Sequence, residues 1–116
     1  MRSKYGNVKT TRTVNKITIT FDSLREARRY DKLYLMARQG LIHNLTLQPR
    51  YELQTKFELD GMKHRAISYV ADFRYTENDI TVVEDVKGML TDVYKLKKKL
   101  FLKRYGDDIK FVEVFK

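Results

Sequence analysis

The chain has no cysteine, a single proline and only two histidines. Without cysteine, disulfide bonds and thiolate metal sites are excluded. The histidines, His43 and His64, are too few for a histidine-based zinc site unless carboxylates complete it. No apolar run approaches the roughly 20 residues needed to cross a bilayer. Any bound metal is therefore expected to be a hard cation held by oxygen atoms, such as Mg²⁺ or Mn²⁺.

Positive charge is in excess, because 24 lysines and arginines stand against 15 acidic residues and give a formal net charge of +9. The basic residues concentrate in the N-terminal arm and in residues 25–38 and 95–104. A small basic protein is attracted to polyanions, so we expect nucleic acid as the partner; the alternative is a generally solubilising surface charge. Residues 1–16 lack an apolar segment, so we expect no signal peptide, no membrane association and a cytoplasmic location.

The 116 residues fit one α/β domain, which we place at residues 16–116 behind a flexible basic arm at 1–15. Ser23 and Glu26 form a capping box that predicts the start of a helix, and Gly40 predicts its end. The predicted order is β-α-β-β-β-α-β, with strands at 16–21, 50–59, 64–75, 80–87 and 109–115 and helices at 24–39 and 92–105.

The most informative stretch is residues 70–88, VADFRYTENDITVVEDVKG, in which two β-rich segments each carry an aspartate. If Asn78 and Asp79 form a two-residue hairpin loop, Asp72 lies directly opposite Asp85, with Cβ atoms about 4.5–5.5 Å apart. Like charges that face each other on a sheet destabilise it unless something offsets them. A divalent metal is the usual reason for such a pair.

Lys87 leaves the same face of the strand as Asp85, since the two residues are two positions apart. Phosphodiester hydrolysis needs a positioned water, a metal and a cation near the developing charge. We therefore predict Asp72, Asp85 and the backbone carbonyl of Val86 as metal ligands. Lys87 is predicted either to orient or activate the attacking water or to stabilise the transition state.

Two other interpretations of this stretch compete with that prediction. One is a surface ladder in which Lys87 only neutralises Asp85, although the valines around them describe a buried strand in which carboxylates are costly. In the other, Glu84 takes the acidic role in place of Asp85. Glu84 points to the opposite face, so this would require a bulge in the strand.

Glu26 also has two interpretations. Its position in the capping box explains its identity without any chemistry. On a helical projection, however, it shares a sector with Tyr30, Leu33 and Ala37, which faces the core or a cleft. We predict that Glu26 belongs to the metal site.

The basic second helix directly follows the predicted site, so we expect it to bind the phosphate backbone, although a solvated surface is the alternative. Its apolar side chains Val93, Leu96, Leu100 and Phe101 are predicted to lie on one face, with the lysines on the other. The residues predicted to contact nucleic acid are Lys95, Lys97, Lys98, Lys99, Lys103, Arg65, His64 and Gln48. For His64 and Gln48, a plain surface position is the alternative.

These features together resemble a PD-(D/E)XK nuclease, and more specifically a small phage and prophage family of that superfamily. The similar stretches are residues 3–7, FDSLREARRY, LQPRYEL, KHRAISYVADFRY, VVEDVKG and the 94–105 helix. The resemblance implies a restriction-endonuclease-like core, a mixed β-sheet flanked by two helices. It also implies that Glu26 is the helix-borne acid, Asp72 the first motif acid and Asp85-Val86-Lys87 the (D/E)-x-K element. Ala71 stands where many members of the superfamily have proline.

On this basis we expect a Mg²⁺- or Mn²⁺-dependent DNA endonuclease with no small-molecule cofactor. Members of that superfamily include junction resolvases, transposase subunits and restriction enzymes. A structure-selective enzyme for junction or branched DNA, acting in phage recombination, replication or packaging, is favoured for so short a chain. Cleaving both strands of a junction requires two sites, so a homodimer is expected in that case. The alternatives are a non-catalytic nucleic-acid-binding protein that keeps the nuclease fold, and an RNA-directed nuclease.

Overall fold

The computed structural model describes residues 9–87 and 89–115, which contain two α-helices and ten β-strands. The helices are α1 (Leu24–Arg38) and α2 (Asp92–Tyr105). The strands are β1 (Thr10–Val14), β2 (Ile17–Phe21), β3 (His43–Leu47), β4 (Arg50–Gln54), β5 (Phe57–Leu59), β6 (Met62–His64), β7 (Ile67–Val70), β8 (Phe73–Glu77), β9 (Ile80–Lys87) and β10 (Lys110–Phe115). Of these elements, neither helix is long and apolar enough to pass through a membrane.

A four-stranded sheet in the order β10-β9-β8-β3 forms the centre of the molecule. β10 runs parallel to β9, whereas the β9–β8 and β8–β3 pairs are antiparallel. The parallel pair is joined through α2, since parallel neighbours need a crossover connection. The sheet is therefore mixed and the chain has the predicted α/β class.

The hairpin between β8 and β9 sets the register on which the predicted site depends. Asn78 and Asp79 have φ angles of +51° and +64°, as a two-residue type I′ loop requires. Glu77 pairs with Ile80, and the same register continues to the end of β8, where Phe73 pairs with Glu84. The predicted loop and register are both confirmed.

Each face of the central sheet carries one helix. Tyr30 and Leu33 of α1 pack on the face that contains Phe73 and Val82. On the other face, Val83 belongs to a second core that α2 completes with two aromatic side chains, Tyr94 and Phe101. Because side chains alternate along β9, residues 82, 84 and 86 face α1, whereas residues 83, 85 and 87 face α2.

The structure differs from the predicted strands in three places. The strand predicted at 50–59 ends at Gln54, where the register against β7 shifts, and its remainder forms β5 of a separate exposed hairpin with β6. The strand predicted at 64–75 is divided among β6, β7 and β8. The connection predicted at 41–49 contains β3, which completes the edge of the central sheet. The Asp60-Gly61 turn, with both φ angles positive, is the predicted hairpin loop.

The arm predicted at residues 1–15 is wrong for residues 10–14. They form β1, which pairs with β2 through a turn at Asn15 and Lys16 with positive φ angles. The β-branched threonines and valine of this segment favour a strand. The Arg12 guanidinium donates two hydrogen bonds, of 2.8 and 2.9 Å, to Asp31 of α1, which attaches the hairpin to the helix. Residues 1–8 of the predicted arm lie outside the described residues.

The predicted apolar face of α2 is also wrong. Val93, Leu96 and Leu100 are exposed, with 63%, 60% and 43% of their surface accessible. The buried residues of this helix are Tyr94 and Phe101, seven positions apart and therefore on one side. Aromatic side chains bury more area than aliphatic ones, and here they determine which side of α2 faces the sheet.

Candidate metal and catalytic site

The site lies beside two connections, at each of which the chain bends from one strand into the next. β7 leads into β8 through Ala71 and Asp72, and β3 leads into β4 through Gln48 and Pro49. The Gln48 N–H donates to the Asp72 carbonyl at 2.9 Å, and the Ala71 N–H donates to the Pro49 carbonyl at 3.1 Å. Gln48 has a φ of +50°, a left-handed conformation that costs a non-glycine residue about 1–2 kcal/mol. Asp72 consequently sits at a bend between strands and not within a regular ladder.

The Asp72 carboxylate takes the place of a strand carbonyl in bonding to β9. Its Oδ2 atom accepts the Val86 N–H at 2.7 Å, while the Asp72 N–H donates to the Glu84 carbonyl at 3.1 Å. The N–H and C=O of one strand residue point toward the same neighbouring strand. The Val86 carbonyl therefore points toward the side of β9 that carries Asp72, where it was predicted to act as a metal ligand.

Asp85 meets Asp72 on the α2 face of the sheet. Besides burial, the charge of Asp85 and a side-chain hydrogen bond with it raise the pKa of Asp72, so the two carboxyl groups interact. Only 1% of Asp85 is exposed. Its Oδ1 atom lies 2.9 Å from the Lys87 ammonium, and its Oδ2 atom accepts a hydrogen bond from the Tyr69 hydroxyl. The alternative of a surface ladder between Asp85 and Lys87 is excluded by this burial.

Glu26 brings a third carboxylate to the same place from the first turn of α1. The Ser23 hydroxyl accepts the Glu26 N–H at 3.2 Å, so the predicted N-cap is confirmed. The Glu26 side chain extends to Asp72, within hydrogen-bonding reach of its carboxyl group. Tyr30 and Leu33, which share its helical sector, are buried. Glu26 thus belongs to the capped first turn of α1, and its carboxyl group interacts with those of Asp72 and Asp85.

Burial and neighbouring acids raise the pKa values of Asp72 and Glu26. Burial, together with the charges of Asp85 and Glu26, raises the pKa of Asp72 to about 9. Burial and the charges of Asp22 and Asp85 raise the pKa of Glu26 to about 7, although Lys87 opposes the shift. Desolvation disfavours a charged carboxylate, and a second carboxylate nearby disfavours it further. At neutral pH this cluster needs protons or a cation to offset its negative charge.

Lys87 is held between an acid and an aromatic ring. Its ammonium lies 2.9 Å from Asp85 Oδ1 and 3.8 Å from the centroid of the Tyr94 ring, a close cation–π contact. The Tyr94 hydroxyl in turn donates to Glu113 of β10 at 2.6 Å. These contacts fix the position of the one lysine among the carboxylates and connect it to α2 and to the edge strand.

Glu84 lies on the opposite face, as the regular alternation of β9 requires. Its two carboxylate oxygens each accept a 2.7 Å hydrogen bond from Arg29 of α1, and one of them also accepts the Tyr75 hydroxyl. Glu84 is fully buried, but its charge is matched by the guanidinium. The interpretation in which Glu84 replaces Asp85 at the site is therefore wrong, because β9 carries no bulge against β8.

The donor set of the site suits a hard divalent cation. Within the described ranges, 9–87 and 89–115, no group of three or more histidine or acidic side chains is arranged to hold a metal ion. Mg²⁺, however, is usually bound by one or two carboxylates, with waters and substrate phosphates completing its shell. Asp72, Asp85 and the Val86 carbonyl are a set of that kind. Lys87 and Tyr69 occupy the Asp85 oxygens in this arrangement and would compete with the ion.

The residues predicted to contact nucleic acid are spread over several regions. Lys95, Lys99 and Lys103 are exposed at intervals of four on α2 and form a basic ridge. Lys97 is half-buried, and Lys98 is bound to Glu113 at 2.6 Å. His64 and Arg65 lie on or beside the exposed β5–β6 hairpin, where His64 stacks on Phe57. Gln48 is exposed and touches the site through its backbone.

Several residues that shape the site were not predicted. Tyr69 hydrogen-bonds to Asp85, and burial with the Asp85 charge raises the pKa of its phenol far above the usual range. Although burial opposes it, hydrogen bonds from Lys98 and Tyr94 hold the pKa of Glu113 below its usual value. These partners come from distant parts of the chain. The available signal was the number of tyrosines in the sequence, eight in all.

Comparison with known families gives a match over almost the entire sequence. Residues 2–116 match the model of the family described as "Protein of unknown function (DUF1064)", and the chain belongs to that family. No curated protein matches the chain.

Proposed function

We propose that this DUF1064 protein is a Mg²⁺- or Mn²⁺-dependent DNA endonuclease of the PD-(D/E)XK type, with a restriction-endonuclease-like core. One observation carries the proposal: Glu26, Asp72 and Asp85 converge beside a single lysine, two of them with strongly raised pKa values. Such a cluster of desolvated carboxyl groups is costly in a structural core and useful in a site that holds a cation. A non-catalytic nucleic-acid-binding protein has no reason to direct three carboxylates toward phosphates.

In this proposal Asp72, Asp85 and the Val86 carbonyl hold the metal, with Glu26 as an additional ligand or as a partner of a bound water. When bound, the ion supplies charge stabilisation at the phosphate and lowers the pKa of water. The ammonium of Lys87 orients the attacking water and offsets negative charge that develops on the phosphate oxygens. Its contacts with Asp85 and the Tyr94 ring fix it in place before substrate arrives.

The substrate is proposed to be DNA with a branch or junction, and the basic ridge of α2 is proposed to hold its phosphates. Shape and phosphate contacts are sufficient recognition for a small basic protein without a separate recognition domain. If a junction is cut on two strands, two sites are needed, and a homodimer supplies them. The setting proposed with this activity is phage DNA recombination, replication or packaging in the cytoplasm of a bacterial host. RNA cleavage is the alternative that the substrate comparison must exclude.

The experiment that tests this function is incubation of the purified protein with a panel of labelled substrates. The panel contains duplex, forked, four-way-junction and single-stranded DNA and a matched RNA, each with Mn²⁺ or with EDTA. We expect cleavage of branched DNA only with the metal, and none by the Asp85→Asn protein. Metal-independent binding of every substrate without cleavage would favour a non-catalytic nucleic-acid-binding protein. Preferred cleavage of RNA would favour an RNA-directed nuclease.

A further inference from the structure

A second feature lies on the face of β9 that α1 covers. A cleft of about 410 Å³ separates α1 from the edge of the central sheet. Its floor and far wall are apolar, formed by Val86 of β9 and Val114 and Phe115 of β10. The volume falls within the range of about 300–1,000 Å³ that is typical of small-ligand sites, so a double helix cannot enter it.

The helix side of the cleft is strongly basic. Arg25, Arg28 and Lys32 are spaced by three and four positions, so they line one side of α1. The two other charged groups at the cleft are already matched, because Asp31 is bound by Arg12 and Arg29 is bound by Glu84.

Across residues 9–87 and 89–115, none of Arg25, Arg28 and Lys32 has a carboxylate partner. The cleft thus offers three unmatched cations above an apolar floor.

The cleft is adjacent to the candidate catalytic site. Val86 contributes to both, since its side chain lines the cleft while its N–H donates to Asp72. Arg25 immediately precedes Glu26 on α1. A polymer whose phosphate lies at the acids would therefore place a neighbouring unit at the mouth of the cleft.

We propose that this cleft receives one unpaired nucleotide of the DNA strand, next to the phosphodiester that is cut. Its phosphate lies against Arg25, Arg28 and Lys32, and its base packs on the apolar lining formed by Val86, Val114 and Phe115. Cations above an apolar, aromatic surface are the combination by which proteins bind single strands without reading sequence. The inference rests on the proposed nuclease function and deepens it, because a pocket for an unpaired nucleotide selects branched DNA over a continuous duplex.

Binding measured without cleavage tests this proposal. Fluorescence anisotropy with a labelled single-stranded oligonucleotide and a matched duplex, in EDTA and low salt, compares the wild type with Arg28→Ala and Phe115→Ala. Arg38→Ala is the matched control, since Arg38 is an exposed cation of the same helix outside the cleft. We expect Arg28→Ala to weaken single-strand binding by about fivefold and to reduce the salt slope by about 0.7. Arg38→Ala should change it by less than about twofold.

Phe115→Ala is expected to weaken single-strand binding by about tenfold, with no change in salt slope, because stacking carries no charge. Phe115→Tyr should restore it, and duplex binding should stay within about twofold in both variants. The proposal is overturned if Phe115→Ala binds single strands like the wild type, or if Arg28→Ala and Arg38→Ala have equal effects. It is also overturned if free deoxynucleoside monophosphate binds as tightly as the oligonucleotide, because the cleft then takes free nucleotides.

The proposed nuclease activity and the proposed nucleotide cleft can fail separately. A wild type that binds single strands through Arg28 and Phe115 but cleaves no substrate overturns the nuclease and leaves the nucleotide cleft. A wild type that cleaves branched DNA with Mn²⁺, while Phe115→Ala binds single strands normally, overturns the cleft and leaves the nuclease.

Discussion

Two consecutive acids of β9, Glu84 and Asp85, are both buried, yet they lie in opposite electrostatic surroundings. On the α1 face, Glu84 is matched by one guanidinium in a two-point contact and by the Tyr75 hydroxyl. Asp85, whose side chain faces α2, shares one lysine with two further carboxylates, Asp72 and Glu26 of α1. Counted over the residues that the structure describes, the first cluster is balanced in charge and the second is not.

This difference separates a structural role from a functional one. A buried carboxylate with a complete set of partners orients α1 against the sheet and needs nothing more. A cluster that carries more acids than cations holds protons in the absence of another positive charge, and a divalent ion is the ligand that relieves it. The same strand thus supports the fold on one side and the proposed chemistry on the other.

The largest effect is expected from the single lysine of the unbalanced cluster. Lys87→Ala should lower the cleavage rate by about 10²–10⁴-fold, because the cation near the developing charge is lost. DNA affinity, measured by anisotropy in EDTA, should change by less than about threefold. Cleavage at the wild-type rate would show that Lys87 has no part in the reaction.

Substitution in the balanced cluster of Glu84 and Arg29 should lower the free energy of unfolding. Glu84→Gln leaves the Arg29 guanidinium without its partner, which costs about 3 kcal/mol of unfolding free energy, since breaking a buried pair costs about 3–5 kcal/mol and Arg29 reaches solvent. Urea unfolding measures this loss. Asp72→Asn is the matched control: folded Asp72 holds a proton at neutral pH, so a neutral amide in its place should leave the stability in EDTA equal or higher. Equal destabilisation by both variants would contradict the distinction between the clusters.

The raised pKa values predict how stability changes with pH. In the folded state Asp72 and Glu26 keep protons up to pH values near 9 and 7, whereas in the unfolded chain both lose them near 4. The folded state therefore binds more protons in this interval, and the unfolding free energy in EDTA should fall as pH rises from about 5 to about 9. Saturating Mg²⁺ should flatten the decline. A curve that rises over this interval would contradict the raised pKa values.

The smallest effect concerns two neighbouring lysines of α2, of which Lys98 has an ion-pair partner and Lys99 has none among the described residues. Lys99→Ala should weaken DNA binding about threefold and reduce the salt slope by about 0.9, as the loss of one phosphate contact predicts. Lys98 is bound to Glu113, so Lys98→Ala should change the salt slope by less. Salt titrations of the two variants make the comparison, and identical slopes would remove the basic ridge from the proposed interface.

Local chemistry allowed much of the site to be predicted from the sequence. The Asn78-Asp79 turn determines the hairpin register, which continues to the Phe73–Glu84 pair and so brings the next residues, Asp72 and Asp85, close together at the end of the ladder. The Ser23 cap determines where α1 begins and therefore where Glu26 lies. In both cases a local sequence signal fixes the first residue of an element. The positions of the later residues in that element follow from its regular geometry, so a contact with a distant residue can be predicted.

The rest depends on contacts that no local rule encodes. The bend at Gln48 and Asp72 requires a positive φ angle at Gln48, which no local sequence signal predicts. The orientation of α2 follows from the burial of Tyr94 and Phe101, against a competing stripe of aliphatic residues. Tyr69 reaches Asp85 only through the folded sheet. Tertiary packing decided these features.

Binding of Mn²⁺, followed by electron paramagnetic resonance of the free ion, tests the central claim most directly. The account predicts that the wild type and Lys98→Ala remove Mn²⁺ from solution, whereas Asp72→Asn and Asp85→Asn bind it at least about tenfold more weakly. Equal Mn²⁺ binding by the wild type and Asp72→Asn would contradict the claim that the converging carboxylates form a metal site.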